Sequence, residues 1–463
     1  MTASEVVYVK PVILAVSCLL TVALWAQGVC PTTQKSSKLI CQIPQIYGPG
    51  GLTLPNPFHA AHFLSEFESS FTPLNSAIGT QLTVLQIASP ASGFTFVFDP
   101  ALGIYTRSTE SYGPLLTERA ETIGRHRIFV AFTFQHFGFS TIDGIDLKHV
   151  PATFTHIDLN PDGSDRKPGD PPSPGNPTFE KDFITTSNRL DLKVNQYTLF
   201  ATFGITNRID ASVSIPILDV SFKVTSDGTI VRNSQPGPFG FAHYWDPACV
   251  NSIPCQAAST QATFFSPSSA TGIGDVVFRI KGTVWQRERF HLAVGTDIRT
   301  PTGDAENFLG SGTWGVKPFV AASYPGRISP HVNLGVLVNG DSVLAGDVAT
   351  GTEKRLPTQF FFSGGADVGV TRKLTIAADL LGQRVFDADR AKVGPYTDIT
   401  GQVHNDVSQI TIFQDSFNIL DFAIGAKVSP YRSLLISGNA LIKLNDGGLR
   451  STVVPLVGIS YTF

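Results

Sequence analysis

A histidine and an asparagine on one alternating run have the clearest catalytic potential in this sequence. His331 and Asn333 are two positions apart, so in a β-strand both side chains point to the same face. A serine nucleophile needs a base and a group that orients it, so Ser363 or Ser437 could complete a lipid-hydrolysing Ser–His–Asn site. No spacing forces these residues together, and a single polar histidine facing an interior gives the same pattern. We predict that the protein is not an enzyme and keep lipid hydrolysis as the least favoured alternative.

No cofactor motif is present: the sequence has no His-Glu-x-x-His, no P-loop and no dinucleotide-binding glycine pattern after a suitable strand. The run DLNPDGSDRKPGD at 158–170 begins like a calcium loop, with Asp158, Asn160 and Asp162 at alternating positions. Its twelfth position, where a glutamate should close the site, is Gly169. We expect an acidic turn here, with calcium binding as the alternative, and we predict no cofactor.

Of the five cysteines, Cys18 lies in the predicted signal peptide, and the other four fall into two local pairs, Cys30 with Cys41 and Cys249 with Cys255. Neither pair is C-x-x-C or has a histidine cluster beside it, which argues against a metal site. In an exported protein each pair can oxidise, so we predict two disulfides. The second would stiffen a loop that also carries Tyr244 and Trp245.

The elements that must position these residues are β-strands. From residue 126 onward, runs with period-two alternation are separated by turns. In the run at 328–340, for example, Val332, Leu334 and Val336 oppose His331 and Asn333. The runs at 189–206 and 209–226 change phase midway, which predicts bulges. The twelve predicted strands span 126–141, 189–206, 209–226, 274–286, 290–302, 313–325, 328–340, 357–370, 373–386, 415–428, 433–444 and 450–463.

The gaps between these runs alternate in length. Every second gap is a tight turn, such as 207–208 or 371–372, whereas most of the others are longer and more variable. Barrels of the bacterial outer membrane have this asymmetry, with short periplasmic turns and long outer loops. A barrel must also close, because backbone groups at an open sheet edge have no partner in lipid. The fold class is therefore predicted to be all-β, a transmembrane up-and-down antiparallel barrel of twelve strands.

Composition agrees with a barrel. Charged residues make up 15% and hydrophobic residues 42% of the chain, and Phe alone occurs 34 times. A lipid-facing surface accommodates so many phenylalanines more easily than a water-facing one. The formal net charge of −3 gives no basic field that could hold nucleic acid.

The faces opposite the apolar ones should line the lumen, where charges of both signs would pair across a narrow interior. A satisfied polar core that only stiffens the barrel is the alternative. The predicted lumen-lining residues are Arg279, Lys281, Asp297, Arg299, Lys317, His331, Asn333, Asp367, Asp379, Gln383, Asp421, Lys427, Asn439 and Lys443.

Three regions are predicted along the chain. Residues 1–26 have a basic residue and then a short apolar stretch, which is typical of a cleaved signal peptide. Residues 27–124 should form a plug or periplasmic lead-in, although a hairpin at 93–108 could instead give the barrel fourteen strands. Residues 125–463 form the barrel, whose last strand ends at Phe463 and so resembles the signal read by the outer-membrane assembly machinery.

Several short segments carry a family resemblance: GIGDV at 272–276, RTPTGD at 299–304 followed by GSG at 310–312, and DLLGQR at 379–384. They resemble the outer-membrane proteins of the MetA-pathway phenol-degradation family, within the long-chain fatty-acid channel-like superfamily. The resemblance covers about 126–463. It implies a barrel that passes small hydrophobic or aromatic compounds and supplies no catalytic residues.

We therefore expect an outer-membrane channel for the passive uptake of small hydrophobic compounds. Its predicted partners are outer-membrane lipid, the assembly machinery and the solute itself, with no nucleic acid. A structural or adhesive barrel with a closed lumen is the main alternative.

Overall fold

The computed structural model describes residues 29–56, 59–60, 62–64, 72–84, 96–99, 104–107, 111–114, 116–157, 180–236, 240–246, 259–287, 290–348, 350–398, 401–431 and 433–463. The predicted signal peptide at 1–26 lies outside these residues. So do the second cysteine pair, Cys249 and Cys255, and the calcium candidates Asp158, Asn160 and Asp162. All three remain predictions.

Twelve antiparallel strands form a closed barrel, which confirms the predicted fold. Each strand pairs with its neighbours in the ring, and the last closes on the first with Tyr461 opposite Val130. The strands are β1 (Ile128–Ile142), β2 (Phe183–Gly204), β3 (Ile209–Val231), β4 (Val277–Arg287), β5 (Phe290–Arg299), β6 (Gly315–Ser323), β7 (Ile328–Asn339), β8 (Gln359–Thr371), β9 (Leu374–Thr397), β10 (Val403–Val428), β11 (Leu434–Lys443) and β12 (Val453–Thr462).

The outer wall is apolar all the way round. Every one of the twelve strands exposes at least one large hydrophobic side chain, for example Phe132 on β1, Leu380 on β9 and Val457 on β12. Such a continuous apolar surface would be unfavourable in water, whereas in a bilayer it meets hydrocarbon. Aromatic residues near the short turns, such as Trp285 and Tyr324, occupy the position of an interfacial girdle. The protein is a barrel of the bacterial outer membrane.

Short and long connections alternate as predicted. At one end, strands are joined by tight turns, as between Gly204 and Ile209, Ser323 and Ile328, or Thr371 and Leu374. At the other end the strands rise well above the apolar belt, and β9 and β10 form the tallest hairpin. By the same asymmetry, the tight turns mark the periplasmic side.

The predicted bulges in β2 and β3 are wrong. Their register runs without a shift from Phe183 opposite Val231 to Gly204 opposite Asp210. The outward face of β2 instead changes from charged residues, Arg189 and Lys193, to Leu199 and Phe203 nearer the periplasm. The inward face shows the opposite order: Leu190, Leu192 and Val194, then Gln196, Thr198 and Thr202. The apparent phase change therefore marks the membrane boundary, where water replaces lipid outside and a packed core replaces the polar lumen inside.

The remaining elements lie outside the ring of twelve strands. In the part of the chain that the structure describes, Phe96–Asp99 and Ile104–Arg107 pair only with each other, so the predicted hairpin exists but adds no strands to the barrel, and the fourteen-strand alternative is wrong. A strand of 13 residues, Gln261–Ile273, pairs with the outer part of β3. Short strands at Phe63–Leu64, Ile145–Asp146, Val150–His156, Asp341–Asp347, Thr352–Arg355 and Leu449–Ser451 also extend the outer end. Helix α1 spans Thr72–Val84, and 3-10 turns occur at Leu39–Cys41 and Ala305–Asn307. None of the helices among the described residues has the length and apolar character needed to cross a bilayer.

Candidate functional site

Residues 29–54 and α1, which we call the outer segment, pack against the inner faces of the tall strands. Leu39 and Ile40 join one buried cluster with Val220 and Phe222 of β3. The hydroxyl groups of Tyr47 and Ser226 lie 2.7 Å apart, and Ser266 Oγ donates to Gln42 Oε1 at 2.6 Å. A disulfide joins Cys30 to Cys41, as predicted for the first cysteine pair.

An ion pair links the outer segment to the loop between β5 and β6. Lys38 Nζ lies 3.2 Å from both Asp304 and Glu306. Burial alone would raise the pKa of Asp304, but hydrogen bonds from Asn307 and Lys38 lower it below the ordinary value. The pair is therefore ionised at neutral pH and weakens only as pH falls through that lowered pKa.

A second segment, residues 111–114 and 116–124, crosses the lumen near the tight turns; we call it the strap. It has no secondary structure of its own, so its backbone groups need partners elsewhere. Tyr112 donates from its hydroxyl to the carbonyl of Arg372 at 2.6 Å, and Thr122 donates to the carbonyl of Asn207 at 2.8 Å. Because Arg372 and Asn207 lie in periplasmic turns, the strap lies across the periplasmic end.

Lumen side chains supply most of the strap's hydrogen bonds. The amide of Asn333 accepts from Glu118 N at 2.7 Å and donates to Glu118 O at 2.8 Å, as a neighbouring strand would. Thr283 donates to the carbonyl of Ala120 at 2.6 Å. Buried Lys281 donates to the Glu118 carboxylate at 2.7 Å and to the carbonyls of Arg119 and Glu121 at 3.1 and 2.8 Å. The wall thus holds the strap by its backbone as well as by charge.

A network of ion pairs connects the strap to the inner faces of strands β4 to β9. Arg279 bridges Glu118 and Asp297, each at 2.5 Å, and Lys317 lies 3.0 Å from Asp297. Arg119 of the strap contacts Asp367 at 2.6 Å. On the same side of the lumen His331 lies between two carboxylates, at 2.6 Å from Asp379 and 3.5 Å from Asp367. Buried charges of this kind are tolerated only when paired, so removing one member of the network leaves its partner as an unpaired buried charge.

None of the fourteen predicted lumen residues lies on the exposed outer surface. The buried ones are Lys281, Asp297, Arg299, His331, Asp367, Asp379, Gln383, Asp421 and Lys427; the half-buried ones are Arg279, Lys317, Asn333, Asn439 and Lys443. Arg299 contacts Asp275 at 3.4 Å, Asp421 pairs with Arg450, and Lys443 pairs with Asp446 at 2.6 Å. Lys427 donates to the strap carbonyl of Pro114 at 2.5 Å.

Sequence reasoning missed the strap's own charged residues, Glu118, Arg119 and Glu121, which provide much of the counter-charge. The available signal was a charged run, TERAETIGR at 117–125, inside a region otherwise rich in Gly and Pro.

The residues of the hydrolase alternative do not assemble into a Ser–His–Asn site. Both ring nitrogens of His331 already have acceptors: Nε2 contacts Asp379, and Nδ1 lies 3.2 Å from the carbonyl of Ser329. Ser363 donates to Asn333 at 3.3 Å, and Ser437 donates to the carbonyl of Gly458 at 3.3 Å.

A cavity lies between α1 and the strap, inside the membrane-spanning wall. About 130 Å³ of its space is accessible to water-sized molecules. Thr83 of α1 borders one side and Leu116 and Glu118 of the strap border another. Its wall combines apolar Phe319, Phe361, Leu381 and Ile419 with polar Asn333, Ser363 and Gln383. Arg279 and Lys317 place their cations 5.1 and 5.3 Å from the rings of Phe319 and Phe361.

Comparison with known families gives a match over the barrel strands. The family described as "Putative MetA-pathway of phenol degradation" matches residues 202–446, which is more than half of the chain. The chain belongs to this family. The match begins at the end of β2 and ends just after β11, so the strap and the outer segment lie outside it. No curated protein matches the sequence.

Solved structures similar to this family member are outer-membrane proteins. An outer-membrane channel from Pseudomonas putida F1 has 11% identity and a TM-score of 0.43, covering 74% of this chain and 98% of its own. A FadL homologue from Pseudomonas aeruginosa has 11% identity and a TM-score of 0.32, covering 81% and 96%. The toluene transporter TbuX of Ralstonia pickettii has 12% identity and a TM-score of 0.28, covering 82% and 100%. Likenesses of this size support no conclusion about function.

A glycine in the wall of this family member makes room for the strap. A Cβ at Gly204 would overlap the carbonyl oxygen of Gly124, so Gly204→Ala must displace the strap's end. We expect a loss of about 1–3 kcal/mol in the free energy of unfolding, typical of overpacking, and faster tryptic cleavage at Arg125. Gly438→Ala is the matched control, since a Cβ there meets nothing within 4 Å. Equal behaviour of the two variants would contradict the close contact between strap and wall.

Proposed function

We propose that the protein is a channel for the passive uptake of small compounds that combine an apolar body with a polar group. The cavity between α1 and the strap is the observation that carries this proposal. Its aromatic and aliphatic side chains, such as Phe319 and Leu381, suit a ring, while Asn333, Ser363 and Gln383 can hydrogen-bond to a hydroxyl. The family description names phenol degradation, and a phenol has this combination of groups.

In this proposal the N-terminal region, residues 27–124, is the plug, and the fourteen lumen residues bind the plug and line the path around it. A solute that enters from outside must pass the outer segment, occupy the cavity and then pass the strap. The strap is held mainly by polar contacts, whose net contribution to stability is modest because water can replace them once the lumen is open. Its displacement therefore serves as the periplasmic gate.

A structural or adhesive barrel with a closed lumen is the second candidate. The observation in its favour is the closure itself: the strap's contacts with Lys281, Thr283 and Asn333 leave few of its polar groups unsatisfied. In such a protein the strap would stay in place, and a disulfide that locks it would change neither solute uptake nor conductance.

A reversible lock on the strap separates the two functions. Ala120 N lies 3.2 Å from Ser323 Oγ, so the strap and β6 are in direct contact here, and we choose Ala120→Cys with Ser323→Cys as the disulfide pair to test. We expect the oxidised double variant to reduce uptake of a radiolabelled phenol by cells at least tenfold, and reduction with dithiothreitol to restore it. Single-channel conductance in planar bilayers gives a second readout.

Each single-cysteine variant and the unmodified protein, with and without dithiothreitol, are the controls. Equal uptake by the oxidised and reduced double variant would contradict the strap as the gate. Equal uptake by cells with and without the unmodified protein would contradict transport itself.

A further inference from the structure

Four histidines meet at the outer end of the barrel, above the apolar belt and away from the lumen network. The short strand Phe63–Leu64 pairs with Val150–His156, and Phe63 lies opposite His156. This pairing carries His59 and His62, which precede the strand, against His156. His243, from the long connection after β3, completes the group with its ring centroid 5.1 Å from those of His59 and His156.

Three of these side chains already have the spacing of a metal site. The candidate ligand nitrogens of His59, His62 and His156 all lie within 4.8 Å of one another. The Nδ1 atoms of His59 and His62 are 3.2 Å apart. A tetrahedral zinc ion with bonds of about 2.0–2.1 Å holds its nitrogens about 3.3 Å apart. The nitrogen–nitrogen distance that zinc requires therefore lies within the range of distances found among these three histidines.

The fourth histidine is oriented as metal ligands usually are. His243 is fully buried, and its Nδ1 lies 2.8 Å from Asp182 Oδ2. The backbone N–H groups of Asn233 and Ser234 donate to the other oxygen of Asp182, at 2.9 and 2.8 Å, and so fix the carboxylate. His243 Nε2 has no hydrogen-bond partner among the described residues. A carboxylate on one ring nitrogen with the other nitrogen left for the metal is the common arrangement around ligating histidines.

We propose that His59, His62 and His156 bind a divalent transition-metal ion, zinc by preference, with His243 as the fourth ligand positioned by Asp182. A set of imidazole nitrogens suits zinc and copper, whereas calcium and magnesium require oxygen ligands. His59 and His62 lie between the two parts of the outer segment, so the bound ion would tie this stretch to the long outer connections after β1 and after β3. It therefore cross-links the N-terminal region to the outer loops. The site is independent of the transport proposal, because no lumen residue contributes to it.

The test is a calorimetric titration of the full protein in detergent, without a polyhistidine tag and stripped with a chelator. We expect one zinc per chain and no heat from calcium. His62→Gln should weaken zinc binding more than tenfold, and Asp182→Asn by about 10–100-fold, since it removes only the orienting group. His149→Gln is the matched control, because His149 is exposed and contacts only Asp146 at 3.2 Å among the described residues. Heat-modifiable migration on gels verifies that each variant is folded.

X-ray absorption on zinc-loaded unmodified protein provides a measurement that needs no variant. We expect nitrogen neighbours at about 2.0–2.1 Å with the multiple scattering of imidazole rings. No zinc binding by the unmodified protein would overturn the proposal. So would equal affinity in the His62→Gln variant, or a spectrum without imidazole.

Discussion

Lys281→Met is expected to release the strap and open the periplasmic end of the lumen. The Lys281 ammonium is buried and donates to the Glu118 carboxylate and to two strap carbonyls. Methionine fills similar space but leaves those acceptors without their donor. Removing one member of a buried ion pair costs about 3–5 kcal/mol. Glu118 keeps Arg279 as a partner, so we expect the lower end of that range.

The cost should appear as strap release, because β4 keeps its backbone pairing with β3 and β5. About 3 kcal/mol corresponds to roughly a hundredfold rise in the population with a displaced strap. We expect higher conductance in planar bilayers and tryptic cleavage at Arg119, which is buried in the unmodified protein.

Lys443→Met is the matched control for this substitution. Lys443 also points inward, but its partners are Thr141 and Asp446, both outside the strap. It should leave conductance and cleavage at Arg119 unchanged. If both lysine variants open the lumen equally, general loosening of the barrel explains the effect, and the strap is not held by Lys281.

The barrel could be predicted from the sequence because successive residues of each strand alternate between the lipid-facing and the lumen-facing side, and their polarity alternates with them. Period-two alternation assigned Leu334 to the outer face and His331 to the inner one, and the tight turns then fixed which end is which. The same signal misled at β2 and β3. The alternation of residue types depends on the polarity around each face and not on backbone geometry. A strand that leaves the membrane therefore shows the same shift in its sequence pattern as a strand with a bulge.

The strap could not be predicted in the same way. Its conformation has no period, since distant side chains such as Asn333 and Lys281 supply its hydrogen bonds. The wall's charges were recognised one by one, but their partners Glu118 and Arg119 lie far away in sequence, in a region without strand alternation. The histidine site was missed for a related reason, because His59 meets His156 only through the pairing of two short outer strands, and His243 reaches them from a third connection.

Leu380→Arg is expected to destabilise the barrel by about 2–4 kcal/mol, while Val393→Arg on the same strand should have little effect. Both side chains are 45% exposed on β9, so exposure alone predicts the same tolerance. Leu380 lies within the apolar belt, opposite Gly364 and Phe422, where a guanidinium must enter hydrocarbon. Val393 lies on the tall hairpin beside Arg390 and Lys392, where the guanidinium meets water. Urea unfolding in lipid vesicles measures both free energies, and heat-modifiable migration measures insertion. Equal losses of unfolding free energy in the two variants would show that lipid also surrounds Val393. The apolar belt would then extend beyond the level at which β2 and β3 change polarity.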